Sequence, residues 1–390
     1  MSAGEGRASG PLRHLRVVEF AGVGPGPFCG MLLSDLGADV TRVHRLADVG
    51  SRPGDAGDRA AADALGRGRR SVALDLKHPD GVSAALRLLD GADALIEGFR
   101  PGVMERLGLG PDVCLERRPA LVYGRMTGWG QEGPYAHTAG HDVNYLALSG
   151  VLAHVGPADR PPLPPLSLVA DFGGGGMLLA LGIVAAVLEA RSSGAGQVVD
   201  AAMVDGSALL MTMTYELLGA GRWQQAREAN MNDGGAHFYN VYETADGGHV
   251  SIGAMEPKFY DELVRRLGLD GDLPDQWDQS QWPAMRRRFA EIFLQRTRAQ
   301  WCELLEDDDT CFAPVLSMSE APSHAHHLAR GAFTVVDGVV QPAPAPRFGR
   351  TPGAVRRGAA RPGEHTDEVL AELGFSAEQV AALRSSGAVG

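Results

Sequence analysis

At 390 residues the chain exceeds the usual size of one compact core and predicts two domains, or one domain with a large insertion. Thirty-six basic against 48 acidic residues give a net charge of −12, which argues against an extended nucleic-acid surface and leaves any anionic ligand to a few placed arginines. Four cysteines (Cys29, Cys114, Cys302, Cys311) stand at neither metal-ligand nor disulfide-framework spacing, which points to a reduced, cytoplasmic setting.

Residues 1–11 are small and polar, lack the apolar centre of a secretory signal, and are expected as a disordered tail. A strand over 15–20 runs into Ala21-Gly22-Val23-Gly24-Pro25-Gly26-Pro27 and a helix over 28–36, the opening of a nucleotide-type fold. Pro27 occupies the third glycine position of a dinucleotide fingerprint, and prolines remove the backbone donors a pyrophosphate would use, so a nicotinamide cofactor is disfavoured. A strand over 39–43, a polar loop over 46–63, a strand over 71–76, a helix over 79–89 and a strand over 94–97 alternate as in a parallel α/β sheet. Arginines recur beside these strands, in Gly66-Arg67-Gly68-Arg69-Arg70 and in Gly98-Phe99-Arg100-Pro101-Gly102, and the recurrence favours a phosphate site over scattered surface charge.

A strand over 121–126 leads to the loop Gly128-Trp129-Gly130-Gln131-Glu132-Gly133-Pro134, and a helix opens after Gly140. Pro161-Pro162-Leu163-Pro164-Pro165 is a stiff connector. A strand over 166–170 is expected to end at Asp171 and four glycines, before a helix over 177–191 whose apolar run is too short to span a bilayer, and a strand over 198–202. Residues 203–230 are helical and rich in Met, 238–253 alternate as a hairpin, and charged helices occupy 257–306. Residues 341–346 read as a linker and 366–373 and 377–383 as short helices. The expected organisation is a tail (1–11), a large domain (12–205), a linker helix region (206–224), a small domain (225–325), and a return linker with terminal helices completing the large domain (326–390).

Two short elements concentrate the chemistry. In Gly140-His141-Asp142 the histidine falls in the first turn of a helix, where free N–H groups and the helix dipole favour negative charge, and the N–H of Asp142 is placed to donate to an enolate oxygen. Read locally, His141 is equally a hydrogen-bonded surface histidine, and Asp171 equally a helix N-cap. The glycines after Asp171 predict a surface without side chains, open to close approach by a thioester. Burial would raise the carboxyl pKa and a helix terminus lower it, and both outcomes stay open. Glu256 precedes Pro257 at the start of a helix, the place of an ordinary N-terminal acid. Ser323-His324-Ala325-His326-His327 has no acid or cysteine at ligand spacing and reads as a helix end, so no metal site is expected.

From about residue 11 to 373 the chain resembles the class III CoA-transferase family, in its α-methylacyl-CoA racemase branch. The likeness is carried by Gly24-Pro25-Gly26-Pro27, Glu97-Gly98-Phe99-Arg100-Pro101-Gly102, Met126-Thr127-Gly128-Trp129-Gly130-Gln131, Ala139-Gly140-His141-Asp142-Val143-Asn144-Tyr145, Asp171 with its glycines, Val199-Asp200-Ala201-Ala202-Met203-Val204-Asp205-Gly206 and Met255-Glu256-Pro257. The resemblance implies an α/β fold with a Rossmann-like large domain and a smaller α+β domain. It also implies an interlocked homodimer, with the active site where the large domain of one subunit meets the small domain of the other. The matching substrate and CoA positions are Val23, Arg45, Leu74, Leu76, Arg100, Arg106, Gly140 and Tyr145. Transferases of the family usually carry tyrosine or another non-histidine residue after the glycine and use the aspartate as nucleophile, whereas this chain has His141. The racemase branch implies His141 and Asp171 as the acid/base pair, Asp142 at the enolate oxygen and Glu256 orienting the histidine. The implied activity is interconversion of (R)- and (S)-2-methylacyl-CoA in lipid metabolism, with no metal or redox cofactor. The expected partners are an acyl-CoA and a second copy of the chain, without nucleic acid or membrane. The acyl chain is expected along the Met-rich segment from Met203 to Met213. Two alternatives stand beside it: CoA transfer with Asp171 as nucleophile, and a CoA-binding protein without turnover.

Overall fold

A computed structural model describes residues 9–50, 63–269, 271 and 273–390. The chain divides into two compact units: the first closes its amino-terminal segment at Ser149 and adds Leu166–Leu210 and Ala325–Gly390, and the second comprises Gly150–Pro165 and Met211–His324. The longer segment of the second unit therefore begins at Met211, ahead of the 225 expected from the sequence, and the proline-rich segment, expected in the large domain, belongs to this unit as well.

The first unit opens with β1 (Arg16–Phe20), α1 (Pro25–Asp35), β2 (Asp39–Arg45), β3 (Arg70–Leu74), α2 (Pro79–Asp90) and β4 (Ala94–Glu97). It continues with α3 (Val103–Arg106), α4 (Pro111–Arg117), β5 (Val122–Thr127) and α5 (Asp142–Leu148). After the return at Leu166 come a π-helical turn (Leu168–Met177), α6 (Leu178–Ser193), β6 (Val198–Ala202) and α7 (Met203–Leu210). The six strands form one sheet in the order β3-β2-β1-β4-β5-β6, and every pairing is parallel. Strands buried on both faces read as continuous apolar runs, as Val17, Val18 and Phe20 show. The strand order reverses between β1 and β4, and such a switch opens a ligand crevice at the carboxyl ends.

Three local expectations are corrected. The first helix starts at Pro25, three residues earlier than the apolar pattern suggested; its prolines occupy the first turn, where no N–H is needed, and Gly24 supplies the positive φ of 69° before it. Residues 166–170 are not a strand, because Leu168–Met177 is a π-helical turn continuous with α6. The N–H groups of Ala170 and Asp171 are taken by a side chain and by no sheet neighbour. Asp171 is accordingly inside the turn and is not a helix N-cap. The joined helix Leu168–Ser193 is long and apolar enough, by length and composition, to cross a membrane, contrary to the shorter run read from sequence. Here it covers one face of the sheet, with Leu179 and Ile183 against Gly124 of β5, where a Cβ would meet both side chains within 3.2 Å.

The second unit holds α8 (Thr212–Gly219), β7 (Tyr239–Glu243), β8 (His249–Gly253), α9 (Pro257–Arg266), α10 (Trp282–Phe293), α11 (Arg298–Leu305) and β9 (Phe312–Pro314). Its antiparallel sheet β7-β8-β9 and helices close over an aromatic core of Phe238, Tyr242, Trp282, Phe289, Phe293 and Trp301. The chain then returns to the first unit through α12 (Ala325–Arg330), β10 (Phe333–Val336), β11 (Val339–Pro342), α13 (Thr366–Glu372) and α14 (Ala377–Ser385). The expected linker at 341–346 thus starts inside a hairpin, and Gln341 is buried where it accepts from Arg67 at 3.0 Å. Helices α2, α4, α13 and α14 cover the other face of the large sheet, packing Leu89, Cys114, Val369 and Val380 on Leu74, Leu95 and Tyr123. Of the expected tail, residues 1–8 lie outside the described residues, while Gly10 rests against Leu36. Of the 46–63 loop, Leu46–Asp48 is a single 3-10 turn and 51–62 lie outside the described residues.

Candidate active site

The carboxyl edge of the parallel sheet gathers most of the positions singled out in the sequence. Val23, in the turn after β1, is 91% exposed beside the switch point. Arg45 ends β2, Arg100 follows β4 and Arg106 ends α3; all three are exposed and have no ion pair among the described residues. Leu76, beyond β3, is half-buried. Leu74 is 2% exposed, its side chain sits in the core, and its backbone bridges to Val389.

His141 is exposed and forms the N-cap of α5, and its N–H donates to Asn144 Oδ1 at 3.0 Å. The N–H of Asp142 has no acceptor among the described residues. The Asp142 carboxylate is buried and turned toward the π-helical turn, where Oδ2 accepts the N–H groups of Ala170 and Asp171, each at 2.9 Å. One residue thus joins the histidine turn to the aspartate turn. Asp171 is half-buried, and burial raises its carboxyl pKa; the Asp142 carboxylate adds to the rise, while a Ser167 hydrogen bond and the nearby His141 imidazole oppose it. Both outcomes left open by the sequence are thereby resolved in favour of a raised value. Tyr145 is buried, donates its hydroxyl to the Gly140 carbonyl and is pushed up to about 12 by burial, with Asp171 and Asp142 adding.

The glycines after Asp171 serve a different end from the one expected. Gly174, Gly175 and Gly176 are buried, and what approaches them is the chain itself. A Cβ on Gly174 would lie 2.7 Å from the Ser207 nitrogen, one on Gly206 would lie 1.9 Å from the Gly174 carbonyl oxygen, and one on Gly176 would lie 2.7 Å from the Pro25 oxygen. They let α1 and α7 clamp the π-helical turn and hold Asp171. Met203, buried against Gly175, belongs to the same packing and leaves the proposed acyl path.

Sequence reasoning missed two parts of this wall. Gly24 lies beside Asp171, since a Cβ there would be 3.6 Å from Oδ2. Trp129 packs edge-on to Tyr145 with ring centroids 4.7 Å apart, and a Cβ on Gly128 would fall 2.1 Å from the Tyr145 ring. The Gly-Trp-Gly run was a visible signal, but its partner lies at a distance in sequence. Glu256 is exposed in the second unit at the N-cap position of α9, where its side chain makes no capping hydrogen bond. The arginine-rich run before β3 is also corrected: Arg67 and Arg69 are buried and paired with Asp35 and Glu19, and Arg70 pairs with Asp39, Glu368 and Glu372. Arg67 and Arg69 precede the strand and Arg70 opens it, and Arg69 also donates to the Pro27 carbonyl at 2.9 Å, so their charge is spent inside the fold.

The family model of CoA-transferase family III matches residues 12–366. An α-methylacyl-CoA racemase of Mus musculus is 48% identical over 96% of this chain and 96% of its own length. One of Homo sapiens is 45% identical over the same shares. The beta subunit of a succinyl-CoA–L-malate CoA-transferase from Chloroflexus aurantiacus is 31% identical over 96% of this chain and 97% of its own. A CAIB/BAIF family protein from Brucella suis matches in structure with a TM-score of 0.79 at 25% identity, covering 94% of this chain and all of that one.

Proposed function

The chain belongs to CoA-transferase family III, and from that premise we propose that it is an α-methylacyl-CoA racemase. The observation that carries the reading is the joining of His141 and Asp171 through the Asp142 carboxylate at the carboxyl edge of the sheet. In the forward direction the His141 imidazole takes the α-proton of a 2-methylacyl-CoA, and the C–H electron pair moves into the thioester to give an enolate. The developing oxyanion is met by the N–H of Asp142. Asp171, whose raised pKa suits a carboxyl that carries a proton through half of the cycle, delivers its proton to the opposite face. The reverse direction exchanges the two roles. Arg45, Arg100 and Arg106 hold the CoA phosphates, and no cofactor beyond the CoA of the substrate is called for.

This reading also assigns Glu256 to orient the histidine, within a homodimer. Support for a second copy comes from α6, whose Leu181, Val184 and Leu188 are 65%, 37% and 72% exposed, an apolar face of the kind that subunit contacts cover.

The test is incubation of each enantiomer of a 2-methylacyl-CoA in deuterated water. Both should gain α-deuterium and converge on one mixture, and His141→Ala should lose at least about a hundredfold in rate. Transfer of CoA to an added carboxylate through a hydroxylamine-sensitive thioester on Asp171, without exchange, would replace racemase with transferase.

A further inference from the structure

Arg125, at the carboxyl end of β5, is 8% exposed and reaches in two directions. One terminal nitrogen pairs with Glu105 of α3, and Nε lies 3.5 Å from Oε1 of the buried Glu97. Glu97 in turn accepts the N–H of Phe99 at 2.8 Å through Oε2. These contacts hold the segment that carries Arg100 and Arg106. The other terminal nitrogen donates to Gln131 Oε1 at 2.8 Å. Gln131 closes the loop in which the Gly130 N–H bonds Thr127 Oγ1 at 2.9 Å and the Trp129 ring supports Tyr145. The same ring underlies Gly140, where a Cβ would lie 2.9 Å from it.

We propose that Arg125 is a positioning residue that holds the CoA-phosphate segment with one arm and the floor of the His141–Asp142 turn with the other, so that seating CoA and aligning the acid/base pair share one anchor. The inference rests on the acyl-CoA reading. A guanidinium suits this place because its planar fork serves acceptors in fixed, divergent directions, which a lysine ammonium on a single flexible stem does not.

The two arms can be cut separately. The Glu105 side chain is 44% exposed, so Glu105→Gln should fold normally and loosen only the CoA arm; Gln131→Ala removes only the contact to the turn. In calorimetric titration with CoA itself, Glu105→Gln should weaken Kd about tenfold while Gln131→Ala stays within about twofold, the size expected for one charge-assisted hydrogen bond. In α-deuterium exchange at saturating 2-methylacyl-CoA, the order should invert, with Gln131→Ala losing about tenfold and Glu105→Gln little. Arg125→Lys should show both losses. Equal losses in both assays for the two single-arm variants, or none, would overturn the proposal by reducing the network to ordinary stabilisation. Wild-type exchange without the split in Kd defeats this inference alone; the split in Kd without any exchange in wild type defeats the racemase reading alone.

Discussion

Arg67 and Arg69 enter the sheet ahead of β3, are 3% and 1% exposed and face buried carboxylates, whereas Arg45, Arg100 and Arg106 leave it at the carboxyl edge, exposed and without ion pairs among the described residues. The chemistry of the side chain is the same, so burial beside a carboxylate decides its use. A buried guanidinium costs several kcal/mol unless a partner compensates it, and that commits the inner pair to folding. Space for the Arg69–Glu19 pair is left by Gly30, where a Cβ would lie 2.1 Å from the Glu19 carboxylate. The outer arginines keep their charge available for a phosphate.

The sharpest way to break this contrast is Arg69→Ala. It removes from the fully buried Glu19 its closest partner, leaving Arg42 at 3.3 Å, and should cost about 3–5 kcal/mol in denaturant unfolding. A loss below about 1 kcal/mol, the range of exposed pairs, would show that the inner pair is dispensable. Next in size, Arg100→Ala and Arg106→Ala should leave stability within about 0.5 kcal/mol while weakening CoA binding about tenfold each. The salt dependence of binding should also flatten, because exposed charge pairs are screened; unchanged affinity would move the phosphates elsewhere.

The smallest effect concerns Glu97, beside Arg125, which is intermediate between the two groups. Burial, opposed by the Phe99 N–H and Arg125, pushes its pKa to about 7. The folded state therefore holds a proton that the unfolded chain releases at lower pH. The stability this contributes is fully present below the ordinary carboxylate range and is lost as pH rises through about 7. Glu97→Gln, which fixes the neutral form, should gain a few degrees in Tm relative to wild type between pH 5 and pH 8. A constant difference across that range would show that Glu97 stays ionised.

The alternation of strands and helices was legible because apolar runs and glycine turns are local signals, and so was the histidine at a helix start. The setting of Asp171 was not. A glycine run states that something comes close, but whether that is a ligand or the protein's own backbone depends on Pro25 and Gly206, which only the fold brings there. The same holds for Met203, whose flexible side chain read as a substrate contact and is buried in packing. The arginines before β3 misled for a related reason: sequence proximity to a strand does not reveal which carboxylate across the sheet has claimed the charge. Glu256 was legible as a helix-opening acid, which is how the second unit holds it.

The Asp142 carboxylate, accepting the N–H groups of Ala170 and Asp171 from a position next to His141, has one more consequence. The spacing of the histidine turn and the aspartate turn is set by a bonded neighbour and two hydrogen bonds within the chain itself. Folding has already met the entropic cost of fixing that spacing, so in the proposed racemase the grip on CoA can be directed to the α-carbon and need not draw the two turns together.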